Sequence, residues 1–104
     1  MNYSIVMTAS AEDDLREIFK YIAFDLQSVQ NAAGQIDRLE QAIASLRTMP
    51  ERFRVYNSST WRERNLRIMP VDHYLVFYIP THDNCTVTVI RILYGGRDID
   101  SQLK

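Results

Sequence analysis

The sequence is poor in cysteine, glycine and proline, with one cysteine, three glycines and three prolines among 104 residues. A single cysteine excludes a disulfide-stapled scaffold, and the scattered glycines form no phosphate-binding loop. No apolar run reaches the roughly 20 residues that a membrane-spanning helix needs. Residues 1–4 carry no basic segment of the kind that opens a secretory signal. We therefore expect a cytoplasmic protein with no membrane partner.

Residues that commonly bind metals or act as nucleophiles are also scarce. His73, His82 and Cys85 are the only histidine and cysteine side chains, and they lack the clustered spacing of a zinc site. No Gly-x-Ser-x-Gly nucleophile motif occurs. The sequence therefore predicts neither a metal site nor an organic cofactor.

The charge of the chain is unevenly distributed. Apolar residues make up 46% and charged residues 24% of the sequence, which is typical of one soluble globular domain, here expected to span 1–104. Residues 1–51 hold eight acidic and four basic residues, whereas residues 52–104 hold five acidic and eight basic ones. Ten of the twelve basic residues are arginines, whose flat guanidinium suits phosphate and carboxylate groups. This excess predicts contact with RNA, DNA or an acidic protein, the alternative being a solvated surface.

Hydrophobic periodicity predicts the element order β-α-α-β-β-β. A strand over about 3–7 is followed by an amphipathic helix, for which Thr8 and Ser10 are competing caps. Its predicted buried stripe comprises Ala11, Leu15, Ile18, Ile22 and Leu26. Ser28 caps a second helix whose stripe runs from Val29 to Leu46 and which stops before Pro50. Strands are then predicted at 61–69, 74–79 and 86–93, with turns at 70–72 and 80–84. The fold class is α+β: a helical hairpin packed on one face of a mainly antiparallel four-stranded sheet.

Arginine and tyrosine side chains on this sheet are the remaining candidates for function. Metal-free RNA cleavage needs a base, an acid and positive charge around the phosphorane. For that chemistry the candidates for charge are Arg62, Arg64 and Arg97, and those for proton transfer are Glu63 and His73. The candidates for binding a target or RNA are Arg62, Arg64, Arg67, Arg91, Tyr94 and Arg97.

Several segments together resemble the RelE/ParE toxin superfamily. They are Asp14-Leu15 with Ile18 and Tyr21-Ile22, then Arg64-x-Leu66, then His73 to Tyr78, and finally Val89 to Asp98 with its Tyr-Gly-Gly-Arg-Asp ending. The resemblance covers nearly the whole chain and matches the predicted element order. It implies the toxin of a type II toxin–antitoxin pair, a group that includes the plasmid stabilisation proteins. A cognate antitoxin protein, and with it a higher-order toxin–antitoxin complex, would be the partner.

The superfamily divides by mechanism, and the resemblance implies different targets for its two branches. RelE-like members cleave mRNA on the ribosome with basic residues, an arginine on the central strand and a C-terminal tyrosine, whereas ParE-like members inhibit DNA gyrase. Here Tyr74 stands where the nuclease arginine is expected, and Leu103 stands where the tyrosine is expected. The resemblance is therefore closer to the ParE branch. A ribosome-dependent mRNA endonuclease and a non-toxic arginine-rich binding module are the alternatives.

Overall fold

A computed structural model describes residues 2–58, 60–96 and 99–103, with only the backbone described for Asp100. The described chain has three α-helices and four strands, in the predicted order and with one short helix added at the end. They are β1 (Ser4–Met7), α1 (Ala9–Lys20), α2 (Val29–Ala44), β2 (Arg67–Val71), β3 (Tyr74–Thr81), β4 (Thr86–Tyr94) and α3 (Ile99–Gln102). The α+β class is confirmed.

Both long helices begin at side-chain caps. Thr8 rather than Ser10 caps α1, because its hydroxyl accepts a hydrogen bond from the Ala11 N–H at 3.1 Å. Ser28 caps α2 in the same way, through the Asn31 N–H at 3.2 Å. These bonds satisfy backbone donors that have no partner inside the helix, so the hydroxyl positions fix where each helix starts.

The two helices end differently from the prediction. The chain leaves α1 through a π-helical turn, Tyr21–Asp25, before it reverses. At the other end, α2 stops at Ala44 and continues as a 3₁₀ turn, Ser45–Arg47, so the α-helix ends a few residues before the stop predicted from Pro50. Met49 adopts a left-handed conformation with φ of 49°, which agrees with the expectation that the residue before Pro50 is not in a right-handed helix.

The sheet is mixed, with strand order β1-β4-β3-β2. The strands β2, β3 and β4 form the predicted antiparallel meander, and β1 adds to the edge of β4 in parallel. A bulge interrupts the β3–β4 pairing beside Phe77 and Tyr78. This order places β4 and β3 in the centre of the sheet.

The predicted boundaries of β2 were wrong. The strand expected at 61–69 starts only at Arg67, and the chain before it forms a 3₁₀ turn, Arg62–Arg64. Asn65 ends that turn in a left-handed conformation with φ of 61°, which breaks the alternation on which the prediction rested. The strand also continues through Pro70, which was expected in a turn. Proline is tolerated there because β2 lies at the edge of the sheet.

The strand β3 is also longer than predicted. It includes Pro80 and Thr81, which were assigned to a hairpin loop. The pairing with β2 ends at Tyr78, so beyond that point β3 has β4 alone alongside it. A proline without an N–H can therefore occupy the strand.

Apolar side chains cover both faces of the sheet. The larger cluster lies between the sheet and the helical hairpin and includes Leu39, Leu46, Val76 and Tyr78. A smaller cluster on the other face consists of Leu66, Ile68, Phe77, Leu93 and Leu103. Within the described part of the chain, no helix is long and apolar enough to cross a membrane.

Candidate functional site

The 3₁₀ turn Arg62–Arg64, which we call the arginine turn, carries two of the predicted target-binding arginines, and both are exposed. Arg62 donates from Nη2 to the Asn57 side-chain oxygen at 3.0 Å. The Arg64 guanidinium lies over the Trp61 ring, 5.2 Å from its centre. Glu63 stands between them and is exposed. The turn thus presents two guanidinium groups to solvent on a short, hydrogen-bonded frame.

Arg67 is used differently. It donates from Nη1 to the backbone carbonyls of Glu51 and Phe53, at 3.0 and 2.7 Å. Its Nη2 lies 3.6 Å from the Glu51 carboxylate, and its side chain is mostly buried. Arg67 therefore holds the segment that precedes β2 against the sheet, and its role as a target contact stays a prediction.

A groove of about 1260 Å³ opens between the helical hairpin and the end of the sheet. Its walls come from the second half of α1 with the π-helical turn, the first half of α2, and the last residues of β4. Four large apolar side chains on its border are about half exposed or more, and we call them the apolar rim: Tyr21, Phe24, Leu26 and Tyr94. A water-exposed apolar patch of this kind beside a cleft is typical of a surface that another molecule covers.

Polar groups converge at one end of the groove. Asp72, in the turn between β2 and β3, accepts from Arg38 Nε at 2.8 Å and from Gln35 Nε2 at 3.0 Å. The hydrogen bond from Arg38 and then that from Gln35 lower the pKa of the Asp72 carboxyl. His73 follows and lines the groove. This network ties the turn to α2.

The two candidates for proton transfer lie apart. Glu63 precedes β2 and His73 follows it, so the whole of Arg67–Val71 separates them. Four steps at about 3.3 Å each place the ends of this strand about 13 Å apart. The structure therefore groups Glu63 with Arg62 and Arg64, and His73 with Arg91 and Tyr94 around the groove.

Arg91 forms a bidentate pair with Asp14 of α1. Its Nε and Nη2 donate to the two carboxylate oxygens at 2.7 and 2.9 Å, and its Nη1 donates to the Gln102 carbonyl at 2.8 Å. Asp14 also accepts from the Ile92 N–H at 2.8 Å. The hydrogen bonds with Asp14 raise the pKa of the Arg91 guanidinium, so this arginine stays charged in neutral solution.

Two positions that distinguish the branches of the superfamily are buried. Tyr74 is 8% exposed and packs in the larger cluster, its ring edge-on to Tyr94 at 5.9 Å. Leu103 is 4% exposed and packs in the smaller cluster. Both side chains are therefore largely withdrawn from solvent.

Other predicted residues complete the description. Arg97 and its neighbour Asp98 lie outside the described residues. Among the residues that the structure describes, no group of three or more histidine, cysteine or acidic side chains could hold a metal ion. His82 instead lies between the Tyr3 hydroxyl, 2.6 Å from its Nδ1, and the Glu51 carboxylate, 3.0 Å from its Nε2.

The sequence matches the family model of the ParE toxin of type II toxin–antitoxin systems, parDE, over residues 5–99. The chain belongs to the ParE toxin family. The resemblance to the RelE/ParE superfamily is thereby confirmed, and the function class is that of a type II toxin. No curated protein matches the sequence significantly.

Solved structures related to this ParE family chain have the same fold at low identity. The chromosomal ParDE system of P. aeruginosa matches with a TM-score of 0.72 and 14% identity, covering 88% of this chain and 95% of that one. The toxin–antitoxin complex RelBE2 of Mycobacterium tuberculosis matches with a TM-score of 0.64 and 17% identity, covering 90% and 99%. A mutant of the E. coli toxin RelE in the free state matches with a TM-score of 0.68 and 11% identity, covering 98% and 93%. At these identities the likeness shows the fold.

The apolar rim was missed at the sequence level. Leu26 belonged to the predicted buried stripe, yet it is more than half exposed, as is Val29 at the start of α2. The apolar stripe of each helix continues beyond the sheet, so the residues at the tip of the hairpin have no sheet to pack against. The aromatic side chains of Tyr21 and Phe24, next to the stripe at the tip of the hairpin, were the available signal.

Proposed function

We propose that residues 1–104 form a single toxin domain that acts in the cytoplasm, is neutralised by a cognate antitoxin protein and inhibits DNA gyrase. Membership of the ParE family supports the gyrase target. The observation that carries the choice is the burial of Tyr74 and Leu103, at the two positions where the resemblance leads us to expect an arginine and a tyrosine for mRNA cleavage. Both side chains serve the core instead.

The arrangement of charge agrees with a binding surface rather than a nuclease site. Cleavage would require a base and an acid on opposite sides of one phosphodiester, whereas Glu63 and His73 flank the two ends of β2. The arginine turn offers fixed positive charge without a nearby proton-transfer pair. We therefore assign Arg62 and Arg64 to target contact.

The hairpin groove is the proposed docking site of the antitoxin. The P. aeruginosa and M. tuberculosis relatives are described as a toxin–antitoxin system and a toxin–antitoxin complex. An amphipathic segment of a partner can use such a groove by burying apolar anchors against the rim side chains, Phe24 and Leu26 among them. The antitoxin segment is proposed to be disordered when free and to fold as it binds this surface.

The target assignment is tested by measuring both activities on one preparation. The purified chain is added to gyrase with relaxed plasmid, and separately to ribosomes programmed with mRNA. We expect lost supercoiling or trapped cleaved DNA, with mRNA intact. The double variant Arg62→Ala/Arg64→Ala should weaken the gyrase effect, whereas Arg47→Ala, an exposed arginine after α2, should leave it unchanged. Cleaved mRNA with normal supercoiling would establish the endonuclease, and inactivity in both assays would favour the non-toxic binding module.

The antitoxin assignment is tested by co-expression. The chain is produced together with the protein encoded by the adjacent reading frame, and the mixture is separated by size exclusion. Co-elution together with rescue of growth is expected. Failure to co-elute with either neighbour would contradict the assignment.

A further inference from the structure

Two of the contacts that hold the short C-terminal helix α3 are its anchors in this proposal. One is apolar, since Leu103, directly after the helix, is buried in the smaller cluster, against which Ile99 also packs. The other is polar, because the Gln102 carbonyl accepts a hydrogen bond from Arg91 Nη1. A helix of four residues has negligible stability of its own, so it depends on contacts of this kind to stay on the sheet.

The Arg91 anchor depends in turn on Asp14. The Asp14 carboxylate accepts hydrogen bonds from Nε and Nη2 of Arg91. These two bonds fix the orientation of the planar guanidinium, so that Nη1 is directed at the Gln102 carbonyl. Such bidentate pairs fix geometry more strictly than a lysine can. With side chains 25% and 14% exposed, Arg91 and Asp14 exclude most of the water that would compete for these bonds.

The same contacts argue against Arg91 as a target contact. Its Nε and both Nη atoms already donate to protein oxygens. A phosphate or carboxylate of a target would have to displace Asp14, and would leave that carboxylate partly buried without its counter-charge. Losing one partner of such a pair is strongly unfavourable.

We propose that Arg91 is a positioning residue: with Asp14 it forms a clamp that joins α1, β4 and α3. In sequence, Arg91 precedes Arg97 and Gln102 follows it, so the clamp holds the chain before and after Arg97, one of the candidates for target binding. The consequence for toxicity rests on the proposed function. The clamping of α3 itself does not.

The test uses the full-length chain and two readouts, amide hydrogen exchange at Leu103 and toxicity. The Leu103 N–H donates to the Ile99 carbonyl within α3, so its exchange reports whether the helix is docked. The variants are Asp14→Asn and Arg91→Lys, which keep shape or charge but lose the bidentate geometry. The matched control is Asp13→Asn, the same substitution one residue away, where the carboxylate pairs with the exposed Arg16.

Both clamp variants should accelerate Leu103 exchange by about tenfold or more, as expected for loss of charge-assisted hydrogen bonds that hold a local unit. Both should also lower toxicity, while Asp13→Asn changes neither readout. The variant Leu103→Ala removes the other anchor and leaves Arg91 in place, so it should reproduce the loss of toxicity.

Two results would overturn the proposal. Unchanged Leu103 exchange in Asp14→Asn would mean that the pair does not hold α3, whether or not the wild type proves toxic. Full toxicity of a Leu103→Ala protein whose exchange is accelerated would mean that docking of α3 does not matter for toxicity. If the wild-type chain is inactive against gyrase and ribosomes alike, the proposed function fails while the exchange measurement still decides the clamp.

Discussion

Replacing Phe24 by alanine should weaken antitoxin binding without destabilising the free toxin. The ring is 66% exposed in the π-helical turn, so its removal leaves no cavity and should change stability by less than about 0.5 kcal/mol. Burying a phenylalanine completely is worth roughly 1.5–3 kcal/mol, and two thirds of that area remains to be buried in a complex. We therefore expect a loss of about 1–2 kcal/mol, or about 5- to 30-fold in Kd.

Calorimetric titration of the purified toxin with its antitoxin measures this loss, and thermal melting of the free proteins checks the fold. Met49→Ala is the matched control, because Met49 is 75% exposed but follows the opposite end of α2 from Phe24. A helix of 16 residues separates the two sites by about 24 Å. Equal losses for the two variants, or no loss for Phe24→Ala, would refute the groove as the docking site.

Three further predictions concern stability. Tyr78→Phe should cost about 1–3 kcal/mol in chemical denaturation, since the buried hydroxyl donates at 2.5 Å to a backbone carbonyl that would lose its partner. Burial raises the pKa of Tyr78 to about 12, above the ordinary tyrosine pKa of about 10. The contribution of the neutral hydroxyl to folding stability is therefore complete below the ordinary pKa and is lost as the pH rises through the raised pKa. The denaturation midpoint of the wild type should fall over this alkaline range, and that of Tyr78→Phe should fall less steeply. The hydrogen bond from the Arg38 guanidinium is the main cause that lowers the pKa of Asp72. The contribution of the Asp72 carboxylate to folding stability is therefore present above the ordinary carboxyl pKa and is lost as the pH falls through the lowered pKa. In Asp72→Asn, stability should depend less on pH in this acidic range. Leu46→Ala, in the turn after α2, should cost about 2–5 kcal/mol because it opens a cavity in the core, whereas Arg64→Ala should stay within about 0.5 kcal/mol; the reverse ranking in melts would mean that Leu46 is not part of the core.

Much of the fold follows from local sequence signals, and the failures have local causes. The cap at Ser28 and the continuous apolar run of β3 are short-range features, and both predictions are confirmed. The start of β2 was predicted too early. Leu66 and Ile68 are both buried, as the alternating pattern predicts, but Arg64, two residues before Leu66, belongs to a 3₁₀ turn. Periodicity alone carries no information about backbone reversal.

The site was harder to predict than the fold. Arginine content identified the exposed arginine turn, but it could not distinguish those side chains from Arg67 and Arg91, which the structure ties to the protein's own carbonyls and carboxylates. The partners of Arg91 lie 77 residues before it and 11 residues after it. Pairings over such distances depend on topology, which no local pattern encodes.

The parallel pairing of β1 with β4 constrains the order in which the parts of the fold can assemble. Ser4 lies beside Thr86, and β4 stands between β1 and β3 in the sheet. The strand β1 therefore cannot pair until β4 has been synthesised. The helical hairpin can form earlier, but the sheet that it covers is then incomplete. Contacts this distant in sequence slow folding. During synthesis, β1 and the helical hairpin therefore emerge before β4, the central strand that joins β1 to the rest of the sheet.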